Sequence, residues 1–131
     1  MISRRTFVLL GASAVALAPF AVSAADDIRA FSPAEFSAAQ KAGKPILVEI
    51  HADWCPTCKA QAPIIGALRK EPKFKDLTVF RVDFDGQKEA VKQFGARPQS
   101  TLIVFKGAAE AGRSVGDTNK DSIATLLAKA I

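Results

Sequence analysis

Ile46-Leu47-Val48-Glu49-Ile50-His51-Ala52-Asp53-Trp54-Cys55-Pro56-Thr57-Cys58-Lys59 is the stretch on which the fold turns. Its first five residues are a nearly continuous apolar run, which fits a strand covered on both faces. Its last residues lead into a segment with Ala60, Ile64, Ala67 and Leu68 at helical spacing. The only two cysteines of the chain, Cys55 and Cys58, lie at that junction. A strand that delivers a C-x-x-C to the first turn of a helix is a redox arrangement. The helix N-terminus carries unpaired N–H groups and partial positive charge, which favour thiolate over thiol. Thiolate is the species that attacks disulfides, so position alone suggests Cys55 as nucleophile and Cys58 as its resolving partner.

Two other uses of the pair compete with this one. As a structural disulfide it would close a very small loop, worth only about 2 kcal/mol by chain entropy. As a metal site it would be short of donors. Structural zinc usually needs four protein ligands and catalytic zinc three, whereas this chain adds one histidine, His51, to its two cysteines. Soft thiolates suit Cu(I), but the only methionine is Met1. No resident metal or cofactor is expected; the dithiol itself is the redox group.

Outward from this stretch, the N-terminal end is of a different kind. Met1 to Arg5 is short and basic, Thr6 to Ala21 is apolar and uncharged, and Val22-Ser23-Ala24 offers small residues for cleavage. Residues 1–24 read as a secretory signal, with the folded domain over 25–131. Ser3-Arg4-Arg5-Thr6-Phe7-Val8 also resembles the twin-arginine export signal; an ordinary secretory signal holding two arginines is the alternative. Left uncleaved, the apolar run would tether the domain to a membrane. Export implies the periplasm, where disulfides persist. A reductant working there must draw electrons through a membrane partner.

The leader arginines account for two of the five net positive charges, leaving +3 on the rest. Lys41, Lys44, Lys59, Lys70, Lys73 and Lys75 are scattered and form no basic-aromatic stripe, so a nucleic-acid partner is not expected. Residues 25–131 suffice for one hydrophobic core, expected as a monomer.

The remaining elements follow from punctuation. Ser32, Pro33 and Glu35 mark a helix start, with Phe31 and Phe36 at the positions of a hydrophobic staple. Gly43 and Pro45 end that helix. Pro63 lies inside the second helix, which Glu71-Pro72 ends. Leu77 to Asp83 is strand-like, Gln87 to Phe94 a short helix, and Thr101 to Phe105 a strand followed by a Lys106-Gly107 turn. Arg113-Ser114-Val115 predicts a short edge strand. Thr118 and Asp121 form a capping pattern before an apolar helix face of Ile123, Leu126, Leu127 and Ala130. The predicted order is helix, strand, helix, strand, helix, strand, strand, helix. That order implies an α/β fold with a mixed central sheet and helices on both faces.

This order resembles the thioredoxin family over the whole of residues 25–131. The resemblance is strongest at Val48–Lys59. It continues through Leu77–Asp83, Phe94-Gly95-Ala96-Arg97, Thr101–Gly107 and Gly116, with Pro63 at the family's helix proline. It implies a thioredoxin fold and protein-disulfide oxidoreductase activity. Cys55 would be an exposed nucleophile and Cys58 the buried resolving thiol. Glu49 stands at the place of the family's buried acid, suited to proton transfer with Cys58, and Arg81 at that of its basic partner. Trp54 would pack beside the cysteines. Two departures stand out. Pro56-Thr57 replaces the usual Gly-Pro dipeptide, a change that retunes the thiolate. Ser100 replaces the cis-proline of the substrate loop, so the Gln99–Ser100 bond is expected to be trans. The Ala52–Cys55 lead-in looks like periplasmic thioredoxin-like domains fed by a transmembrane reductase, including those serving cytochrome c maturation. The resemblance thus implies reduction of protein disulfides, with a disulfide oxidant or isomerase as the alternative.

Overall fold

The computed structural model describes residues 28–131, so the expected leader and its cleavage point lie outside the described residues. The described elements run β1 (Ile28–Ala30), α1 (Pro33–Lys41), β2 (Pro45–His51), α2 (Pro56–Arg69), a 3₁₀ turn (Pro72–Phe74), β3 (Thr78–Asp83), α3 (Lys88–Gln93), β4 (Thr101–Lys106), β5 (Ala109–Val115) and α4 (Lys120–Ala128). The sheet order is β1-β3-β2-β4-β5. β3 pairs in parallel with both β1 and β2, whereas β4 is antiparallel to β2 and β5. The mixed sheet and the flanking helices match the sequence reading.

β2 is the central strand, and its residues 46–50 are all buried. Successive side chains of a strand point to opposite faces. Ile46, Val48 and Ile50 therefore join one core with Phe31, Phe36, Phe80, Phe94 and Phe105. Leu47 joins the other, with Ile65 and Leu68 of α2 and Ile123 and Leu127 of α4. An apolar run without alternation is what a strand with two covered faces requires. Glu49 is the exception, on the α2 side.

The first core is an aromatic cluster. The Phe36 ring meets those of Phe31, Phe80, Phe94 and Phe105 at 5.5, 5.8, 5.4 and 5.2 Å between centroids, mostly edge to face. This anchors the start of α1, where the Ser32 side chain also accepts the Glu35 N–H, at a long 3.5 Å. Staple and cap act together, as the sequence suggests.

Three boundaries differ from expectation. β1 has no signal in the sequence: its three residues are exposed and too few to show a period, and only pairing with Val79, Phe80 and Arg81 makes them a strand. β5 runs over seven residues instead of three, because pairing with β4 recruits the polar Glu110 and small Gly112. Its register steps between Val104 and Phe105, leaving Ala111 as an extra residue. The α4 cap is Asn119, not Thr118. The Asn119 side chain accepts the Ser122 N–H at 2.9 Å, while the Asp117 carboxylate takes the Asn119 N–H at 2.9 Å.

Phe36→Ala should cost about 3–5 kcal/mol, the range for emptying a buried phenylalanine site. Urea or guanidinium unfolding of the variant checks this.

Candidate active site

β2 ends against α2 through a tight link. The Cys55 N–H donates to Ala52 O at 3.1 Å, and Cys55 then becomes the N-cap of α2. Pro56 takes the first helical position, where a missing N–H costs nothing. The Cys55 sulfur accepts the Cys58 N–H at 3.1 Å, so a thiol does what a serine or aspartate oxygen does in ordinary caps. Thr57 is half-buried and Pro56 exposed at the rim.

Cys55 is 1% and Cys58 3% exposed. The expectation of an exposed nucleophile is therefore corrected. Turning the Cys55 sulfur back to cap α2 draws the side chain under the chain, where it packs with Ala52, Cys58 and the half-buried Phe84. Burial pushes the Cys58 thiol up from its ordinary value, and the Cys55 sulfur adds to the rise; backbone hydrogen bonds from Ala52 and Ser100 work against it. The Cys58 sulfur also lies 4.0 Å from Ile50 O.

Glu49 and Arg81 are register partners on β2 and β3. Arg81 Nε donates to Glu49 Oε2 at 3.0 Å; the carboxylate is buried and the guanidinium about one-third exposed. The expected pair is present. His51, two residues on, holds Asp53 Oδ1 at 3.2 Å through Nε2. Among the described residues no three His, Cys, Asp or Glu side chains converge as a metal cage.

Trp54 departs from expectation. It is 55% exposed, and its indole N–H donates to Asp85 Oδ2 at 2.7 Å. Its ring meets Phe84 edge-on at 6.4 Å, and Phe84 in turn touches the cysteine cluster. Trp54 thus supports the sulfurs through Phe84 instead of covering them. The bond to Asp85 draws the indole outward.

Ser100 is buried opposite the cysteines with φ +63°, the only non-glycine residue at positive φ among those described. No described peptide bond is cis, in line with the expected trans Gln99–Ser100 bond. The Ser100 N–H donates to Ile50 O at 2.8 Å, and its carbonyl accepts from Gly116 N at 3.1 Å. It accepts also from Gln61 Nε2 at 3.2 Å. Sequence reading missed Gln61, Phe84 and Asp85. Gln61 had one available signal: a polar residue three places after Cys58, on the helix face that should be buried.

The thioredoxin family model matches residues 27–129. The chain belongs to the thioredoxin family. A thioredoxin of Chlamydia muridarum is 38% identical over 84 residues, 64% of this chain and 80% of that protein. One from Alicyclobacillus acidocaldarius is 33% identical over 95 residues, 72% of this chain and 90% of its own. The crystal structure of Trxlp from Edwardsiella tarda superposes with TM-score 0.75 at 42% identity, covering 77% of this chain and 98% of that one. Proteins of this family are protein-disulfide oxidoreductases, and this one carries the cysteine pair at the family's position.

Two expectations follow. Arg81→Leu should destabilise by about 3 kcal/mol by leaving Glu49 unpaired, and adding Glu49→Leu should recover part of that loss; denaturant unfolding of the three variants checks the order. The raised Cys58 thiol sets a pH trend for the reduced protein. Above the ordinary thiol value of 9.0 the unfolded chain ionises while the folded one keeps its proton, so stability falls as pH rises. Cys58→Ser should flatten that fall above pH 9.0.

Proposed function

We propose that this thioredoxin-family protein is an exported reductant of protein disulfides, recharged by a membrane dithiol donor. The observation that carries the chemistry is the Cys55 sulfur held on the Cys58 N–H, at the head of α2. Negative charge on that sulfur meets both the hydrogen bond and the helix dipole. Export and the membrane donor are supported by the leader-like residues 1–24 and by the Ala52–Cys55 lead-in.

Cys55 thiolate attacks one sulfur of a substrate disulfide; that bond breaks, and the departing sulfur leaves as a thiolate that takes up a proton. Cys58, after passing its proton toward Glu49 or solvent, attacks the Cys55 sulfur. The mixed disulfide breaks, the second substrate thiol is released, and Cys55–Cys58 closes. The substrate gains two electrons and the protein loses two. A donor dithiol reverses the second half and restores the pair. Since Cys55 is buried, attack needs the substrate to approach past Phe84 and Trp54.

Pro56-Thr57 favours a second reading, in which the pair donates its disulfide to substrates. Titration against glutathione separates the two: a potential near about −270 mV supports the reductant and one near about −120 mV the oxidant. Insulin reduction with dithiothreitol as donor should be readily measured, and Cys55→Ser should abolish it. Retained activity in that variant would refute the assignment of the nucleophile.

A further inference from the structure

The loop facing the cysteines is held in a way that the dithiol chemistry alone does not explain. Gln61 lies on α2, three residues after Cys58, and is 3% exposed. Its side-chain N–H groups reach two separate segments. One donates to Ser100 O at 3.2 Å and one to Asp117 O at 2.9 Å. A buried amide committed to two backbone carbonyls fixes both segments to the helix that carries Cys58. It fixes Ser100 where the backbone needs restraint, since a non-glycine residue at φ +63° is disfavoured by itself.

What the restraint holds in place is an N–H. The Ser100 N–H points at Ile50 O at 2.8 Å, and the Cys58 sulfur lies 4.0 Å from that same oxygen. Amide, carbonyl and sulfur therefore form one cluster. While Cys58 is a thiol, it can donate to Ile50 O. When it loses its proton, that donation ends, and the backbone N–H groups of Ala52 and Ser100 are the neighbouring donors to the new charge, of which Ser100's belongs to the loop that Gln61 holds. A proline at position 100 would have no N–H and would need φ near −65°.

We propose that Gln61 is a positioning residue for the thiol–disulfide cycle: by tying Ser100 and Asp117 to α2, it keeps the Ser100 N–H within reach of the Cys58 sulfur as that sulfur ionises. The inference rests on Cys58 being the resolving thiol and is independent of the direction of electron flow. The ionisable group that acts on Cys58 is Cys55 on its own helix, while Glu49 pairs with Arg81 on the sheet. The Gln61 hydrogen bonds go to neither, but to the Ser100 and Asp117 carbonyls.

Gln61→Met keeps the side-chain length and removes both donors. Three quantities are measured: the rate of mixed-disulfide formation at Cys55, the rate of its resolution by Cys58, and the pH midpoint of Cys58 alkylation in a Cys55→Ser background. Resolution should slow about fivefold, the equivalent of one lost hydrogen bond, while attack changes less than about twofold. The alkylation midpoint should rise by roughly half a pH unit. Equal slowing of both steps, or an unmoved midpoint, overturns the inference. The alkylation profile is readable without any turnover, so a failed insulin assay does not obscure it. Should Gln61→Met not fold, NMR of the Cys55→Ser protein with Gln61 intact decides. The Ser100 amide proton should shift with the Cys58 titration, and a flat response overturns the role.

Discussion

The hydrogen bond from the Cys58 N–H to the Cys55 sulfur is the contact on which the site depends. It starts α2, sets the two sulfurs on one turn, and brings a backbone dipole to the atom that must carry charge. It also hides that atom. Packed with Ala52, Cys58 and Phe84, that sulfur is closed off from solvent, so reactivity and accessibility are opposed here. The protein's answer is a rim, with Phe84 against the sulfurs, Trp54 against Phe84, and Asp85 restraining the indole.

The sheet supplies the rigidity behind this contact. β2 is covered on both faces, and its C-terminal end delivers Cys55 through the Ala52 link. The same strand offers Ile50 O to the Ser100 N–H, and so fixes the loop opposite the cysteines. One strand end therefore positions both the cysteines and the Ser100 loop. The polar Glu49 in this otherwise apolar strand is tolerated because Arg81 stands beside it in register.

Much of this was legible in the residues. Ile46–Ile50 showed a doubly covered strand because continuous apolarity has few other uses at that length. The Ser32-Pro33 start and the Phe31/Phe36 staple were readable because caps are local. Other features were not local. β1 exists only through its pairing with β3, and nothing within Ile28–Ala30 announces it. The sequence pattern points to Thr118 as the α4 cap; the hydrogen bonds made by Asp117 and Asn119 place it one residue later. At the site, the cysteine pair and the Glu49–Arg81 couple followed from spacing and resemblance. The burial of Cys55, the outward indole and the double grip of Gln61 are products of tertiary packing.

The extra residue at Ala111 has an effect beyond bending β5. β5 closes one side of the sheet, and such a margin is a natural template for a stranger's backbone. An incoming strand that matched the amides on one side of Ala111 would fall out of phase on the other. With Glu110 and Arg113 flanking that point, the mismatch comes with charge as well. A single inserted residue thereby denies a second strand one continuous register along this margin, away from the strand end that carries the cysteines.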